Sequence, residues 1–142
     1  MSGWRHCLYD AVPFDTPTEL HVAKILDHAS EIKWWVRNIR SFFYLSTPLG
    51  TYAPDFIFLI RVNKVNVLLE IKGEFLATGQ GSESILKSTA AETWCKAVSS
   101  VSDDKWEYWF VLDRDARRAT TLSELKDFAE EGRLFLVHEP EK

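Results

Sequence analysis

Cysteine is scarce in this sequence. Cys7 and Cys95 are its two thiols, and neither stands in a metal-ligand spacing such as C-x2-C. That excludes a disulfide-dense secreted framework and a cysteine zinc site. A single bridge stays open, but two free thiols in a reducing cytoplasm is the reading adopted. Long apolar runs are missing as well: none approaches the roughly 18 residues needed to span a bilayer. The opening MSGWRHCLYD has no apolar signal core. The expectation is therefore a cytoplasmic protein with no membrane partner. The phosphate-cradling pattern G-x-x-x-x-G-K-[ST] does not occur. Nor is there an excess of positive charge, since the formal net charge is −4. This counts mildly against tight nucleic-acid binding by the chain alone, although basic residues can still gather on one face. His6, His21, His28 and His138 show no ligand spacing, and there is no repeat, low-complexity tract or linker.

What the chain does have is a heavy aromatic load. Six Trp and nine Phe lie within 142 residues, of which 46% are hydrophobic. Side chains of that size bury large areas, so one domain spanning residues 1–142 around a single packed core is expected.

Local patterns give the elements. Thr16-Pro17-Thr18-Glu19 reads as an N-cap, a proline at the first helical position and a glutamate at the third. Leu20, Ala23 and Leu26 continue at helical spacing. Residues 32–37 (IKWWVR) alternate as a strand, with Ile32, Trp34 and Val36 on one face and Lys33, Trp35 and Arg37 on the other. Further strands are expected over Phe42 to Leu45, Tyr52 to Val62 and Val65 to Lys72, with Asn63-Lys64 as the tight turn between the last two. Gly73 to Ser84 reads as a glycine-rich loop. A second helix over Glu83 to Ser100 has Leu86, Ala90, Trp94 and Ala97 as its apolar stripe. Trp106 to Leu112 reads as a buried strand, and Arg114 to Arg118 as a solvated turn. Leu122 to Glu131 reads as a helix closed by Gly132, and Leu134 to Val137 as a last strand. The order αββββαβαβ predicts an α/β (α+β) fold, a mixed β-sheet flanked by helices.

Pro54-Asp55 and Glu70-Ile71-Lys72-Gly73 carry the chemistry. Alternate residues of a strand share a face, so Glu70 and Lys72 point the same way. Two charges at the end of the apolar run Val67-Leu68-Leu69 are expensive without partners. In an antiparallel hairpin the start of one strand lies beside the end of the other, which brings Asp55 next to Glu70. Two carboxylates and an ammonium then converge at one sheet end. Asp55 and Glu70 supply hard oxygen ligands for Mg²⁺, with Mn²⁺ as a substitute. Lys72 can stabilise developing negative charge or orient and deprotonate a water. Such a set suits hydrolysis of a phosphodiester.

These residues resemble the PD-(D/E)xK nuclease superfamily. The longer string FDTPTELHVAKILDHASEIKWWVRNIRSFFYL…YAPDFIFLIRVNKVNVLLEIKGE is similar to the C-terminal endonuclease domain of type III restriction enzymes and related helicase-nuclease proteins. The family pattern is matched by Glu19 in the first helix, Trp34-Trp35-Val36-Arg37-Asn38, Pro54-Asp55-Phe56 and Glu70-Ile71-Lys72-Gly73. Lys87 and Trp94 match the helix that follows. The resemblance implies a restriction-endonuclease-like fold and a Mg²⁺-dependent endonuclease acting on DNA. Glu19, Asp55, Glu70 and Lys72 are the implied catalytic residues. It also implies an ATP-driven helicase motor as partner. Either these residues are a domain excised from a longer chain or the protein is a stand-alone relative.

Each assignment has a plainer counterpart. Glu19 fits a capping box with Thr16, which explains a glutamate there without catalysis. Arg37 and Arg40 can face phosphate or solvent, and so can Lys87. Gln80, in the glycine-rich loop, is a further DNA-contact candidate. Trp34 and Trp35 are read as core rather than as base-stacking platforms. One metal site cuts one strand, so breaking a duplex takes two binding events or a homodimer. The alternative function is a catalytically silent module of the same fold that binds DNA or docks on a motor.

Overall fold

Helix α1 (Pro17–His28) starts where the capping residues place it. In the computed structural model, the Thr16 hydroxyl accepts the Glu19 amide at 3.1 Å and Pro17 opens the first turn. The structure describes residues 3–9, 13–39, 41–73 and 80–137, with backbone alone for 80–82 and 135–137. Arg40, His138 and residues 74–79 of the expected glycine-rich loop lie outside the described residues.

Four strands form the main sheet in the order β1-β4-β5-β6. They are β1 (Ile32–Arg37), β4 (Phe56–Ile60), β5 (Val65–Lys72) and β6 (Lys105–Leu112). The first three are antiparallel neighbours, and β6 adds parallel to β5. The turn between β4 and β5 puts Asn63 and Lys64 at φ 63° and 51°, the left-handed backbone that reverses a chain tightly. A separate hairpin pairs β2 (Leu45–Thr47) with β3 (Gly50–Tyr52). The expected order αββββαβαβ thus becomes a mixed α+β fold with six strands and four helices among the described residues.

Several expected elements differ. The strand over Tyr52 to Val62 is broken at Ala53–Asp55, where the chain leaves the small hairpin and enters the main sheet. Pro54 has no amide to donate to a ladder, which favours the break there. The stretch Phe42 to Leu45 contributes to a strand from Leu45 onward only. In β1 the alternation fails because the register against β4 shifts between Ile32 and Trp34. Ile32 and Trp35 consequently share one core face, while Val36 and Trp34 pack on the other.

The two faces carry different layers. On one, Val22, Leu26, Trp35, Phe56, Phe58 and Leu69 pack with Val111, Leu122 and Leu125. This buries α1 together with α3 (Asp113–Arg118) and α4 (Leu122–Val137). On the other, Val36, Leu45, Tyr52, Ile57 and Leu68 pack against Ala91 and Cys95 of α2 (Gln80–Val101). Helix α2 begins at Gln80, inside the segment expected to be loop. Its buried stripe is Ser84, Ser88, Ala91 and Cys95, while Leu86 and Ala97 of the expected apolar stripe are exposed.

Arg114 to Arg118 belong to the short helix α3, in which Arg118 bonds to Asp115 at 2.7 Å. Helix α4 runs through Gly132 to Val137, so the expected strand Leu134 to Val137 is its last turn. Gly132 is not a helix stop. A Cβ there would lie 2.1 Å from the Phe110 carbonyl oxygen, so its bare backbone lets α4 lie directly on β6.

Candidate active site

The β4–β5 register determines where the acidic residues meet. Phe56 pairs with Leu69, which brings Asp55, just before β4, to the end of β5 that carries Glu70. The Asp55 amide donates to the Leu69 carbonyl at 2.9 Å, and the Ile71 amide donates to Asp55 Oδ2 at 2.9 Å. Glu70 and Leu68 share the face of β5 covered by α2 and the β2–β3 hairpin, while Asp55, outside β4, lies between that face and Arg37 on the α1 side.

Burial shapes this pair, and the Asp55 charge adds to its effect at Glu70. Desolvation pushes the Asp55 carboxyl up to about 6. The Ile71 amide, Arg37 and Lys72 pull against that rise, and Glu19 adds to it. Glu70, 8% exposed, is raised well above the usual carboxylate range by burial and then by the Asp55 charge. Lys72, the Tyr52 hydroxyl and Lys87 all act in the opposite direction on Glu70. Lys72 is therefore within electrostatic reach of both carboxylates.

Arg37 anchors the same sheet end from the α1 side. Its Nε donates to Glu19 Oε1 at 3.0 Å and its Nη2 to Glu19 Oε2 at 3.1 Å, a two-pronged pair. It also donates to the carbonyls of Asn38 and Asp55, and lies 4.0 Å from Asp55 Oδ1. Burial works against its charge, yet Glu19, with Asp55 and Asp15 behind it, raises its pKa above the ordinary arginine value. Next in sequence, Asn38 donates from its amide to Asp55 O at 2.8 Å and from Nδ2 to Pro54 O and Phe43 O at 2.9 Å each. The Arg-Asn pair of β1 thus bolts the Pro54-Asp55 segment in place.

The pattern of an endonuclease-domain family matches residues 5–109. The chain belongs to this endonuclease-domain family. No curated protein and no solved structure matches it.

The structure of this endonuclease domain brings Asp55, Glu70 and Lys72 together, with Glu19 reaching them through Arg37. Glu19 Oε1 additionally accepts the Asp15 amide at 2.9 Å, so capping and the Arg37 pair occupy both of its oxygens. Arg37 is 13% exposed, and its donors go to protein acceptors rather than outward. Lys87 sits over the Tyr52 ring at 5.8 Å and 3.9 Å from Glu83, on the α2 face nearest Glu70. Gln80 is the first residue of α2, and its side chain lies outside the described residues.

Nothing in the sequence pattern singles out three further residues at the site. The Tyr52 hydroxyl donates to Glu70 Oε1 at 3.0 Å and meets the Tyr108 hydroxyl at 2.7 Å, which the Ser88 hydroxyl approaches at 3.3 Å. They come from β3, β6 and α2, and no short motif spans such separations. The signal available was a serine where α2 needed an apolar residue.

Proposed function

We propose that this endonuclease domain hydrolyses DNA phosphodiester bonds with a divalent cation held by Asp55 and Glu70, in the manner of the PD-(D/E)xK nucleases. The observation that supports the reading is that Asp55 accepts the Ile71 amide and acts electrostatically on Glu70, with Lys72 acting on both carboxylates.

The donor set fits Mg²⁺. Both carboxylates are sheltered from water, and burial together with the Asp55 charge raises Glu70, so a divalent cation bound there would favour their ionised forms. Among the described residues no group of three or more His, Cys, Asp or Glu is placed to hold a metal. That deficit suits Mg²⁺, which keeps several waters and is commonly held by one or two carboxylates plus substrate phosphate. It does not suit a transition metal needing a full protein cage. Bound there, the ion supplies Lewis acidity toward the scissile phosphate and a more acidic water.

The chain's own residues do the rest. Asp55 is held by the Ile71 amide through one oxygen, and Glu70 by Tyr52 through one oxygen, so each carboxylate is fixed in direction. Lys72 holds positive charge where the phosphate and attacking water would lie, and so stabilises developing negative charge. Glu19 acts on this centre by orienting Arg37, which fixes the Asp55 backbone. Lys87 is the cation on the α2 side best placed to meet a phosphate. The resemblance to the nuclease domain of type III restriction enzymes adds a helicase motor as partner, on this chain or another.

Incubation of plasmid and linear duplex DNA with Mg²⁺ or Mn²⁺ tests the reading. Cleavage that disappears in EDTA and in Asp55→Ala supports it. Metal-independent binding with no cleavage under any divalent ion points instead to the silent DNA-binding module.

A further inference from the structure

Glu70 is held from behind by an ordered line of hydroxyls. Tyr52 has one hydroxyl proton, and it points to Glu70 Oε1 across 3.0 Å. With that proton committed, the 2.7 Å contact between Tyr52 and Tyr108 requires Tyr108 to donate. Tyr108 then accepts from Ser88 at 3.3 Å. With Glu70 ionised, as a bound cation would hold it, the carboxylate only accepts and the line runs from Ser88 to Tyr108 to Tyr52 to Glu70. The setting keeps the line intact. Tyr52 is 5% exposed and Ser88 5%, which shelters the line from water. The tyrosine rings meet edge to face at 6.4 Å, and Lys87 lies over the Tyr52 ring. Three separate elements converge to place one hydroxyl on one carboxylate oxygen.

We propose that Tyr52, backed by Tyr108 and Ser88, is a positioning residue that fixes Glu70 Oε1 and thereby directs Oε2 toward the divalent cation. This rests on the metal-dependent reading of the site. Partners behind a ligating side chain are worth a large factor, because they fix its orientation before the ion arrives. The arrangement also explains why α2 buries Ser88 toward the sheet instead of a large apolar residue.

Calorimetric titration of Mn²⁺ into the wild type, Tyr52→Phe and Tyr108→Phe tests the assignment, alongside thermal melts without metal. Phenylalanine keeps the rings packed and removes only the hydroxyls. Tyr52→Phe is expected to weaken Mn²⁺ binding by roughly 10–100-fold, and Tyr108→Phe by a smaller factor. In cleavage assays, the Mg²⁺ concentration for half-maximal rate rises in Tyr52→Phe while the rate at saturating Mg²⁺ is largely kept. A Tyr52→Phe protein that melts lower but binds Mn²⁺ as the wild type does would overturn the proposal, because the hydroxyl would then serve folding alone. A wild type that binds no Mn²⁺ overturns the metal-dependent reading itself, and this proposal with it.

Discussion

The Ile71 amide donates to Asp55 Oδ2 at 2.9 Å, so the strand that carries Glu70 and Lys72 directly orients the carboxylate that faces them. One hydrogen bond couples the two halves of the signature across fifteen residues of hairpin. A second bond, from the Asp55 amide to the Leu69 carbonyl, ties the residue before β4 to the same strand one position out of the ladder's register.

Asp55→Asn keeps an oxygen that can accept the Ile71 amide but removes the charge. It should fold as the wild type does and lose ~100-fold or more of its cleavage rate. Lys72→Ala is expected to show a comparable loss. Initial rates on labelled duplex, with circular dichroism to verify the fold, check both.

The site should also set how metal-free stability varies with pH. Asp55 has a carboxyl at about 6 in the folded chain against 3.8 without its surroundings, so the folded state holds that proton more tightly. Its stabilising contribution is fully present below about pH 4 and is lost as pH rises through 6. Glu70 is shifted in the same direction. In EDTA the melting temperature should therefore carry a falling component between pH 5 and 7.5, which Asp55→Asn reduces. At pH 7.5 that variant should be more stable than the wild type by roughly 1–3 kcal/mol. Mg²⁺ should narrow the gap at pH 7.5 and have little effect at pH 5. Parallel pH slopes for the two proteins would contradict this.

Glu19 and Arg37 are 10% and 13% exposed and share a two-pronged bond, so removing either strands the other. Glu19→Ala should cost roughly 2–4 kcal/mol in urea denaturation. The double variant with Arg37→Ala should cost much less than the sum of the single ones. Additive losses would show that the pair does not act as a unit. The Asp15 contact with Arg37, 84% exposed on the Asp15 side, should contribute little.

How far the sequence could be read depended on whether a feature was local. Strand β5 was legible from Val65 to Lys72 because an apolar run between a turn and a charged end has few other readings. Helix α1 was legible from its cap, and the meeting of Asp55 with Glu70 followed from hairpin geometry. The faces of β1 were not legible, because a one-residue register shift reverses the alternation after Ile32. The stripe of α2 was missed because small and hydroxylated residues face the sheet, where hydropathy periodicity gives no signal. The hydroxyl line to Glu70 joins three distant segments and depends wholly on tertiary packing.

Gly132 illustrates the same limit, since a glycine near a helix end reads as a stop. Here it is the point of closest approach between α4 and β6. Gly132→Ala should destabilise the protein by on the order of 1–3 kcal/mol, because the added methyl must push α4 away from the Phe110 carbonyl. A helix-ending glycine with positive φ would be strained by alanine for another reason, but Gly132 is not among the positive-φ residues. A thermal melt of this variant, with Gly50→Ala as a strained but uncrowded comparison, separates the two effects.

The proposed chemistry needs a divalent cation shared by Asp55 and Glu70. Anomalous diffraction at the manganese edge, from crystals soaked in Mn²⁺, tests this most directly. The expected result is a peak within coordinating distance of one oxygen from each carboxylate, absent in Asp55→Asn crystals. A soaked crystal with both carboxylates ordered and no peak between them would contradict it.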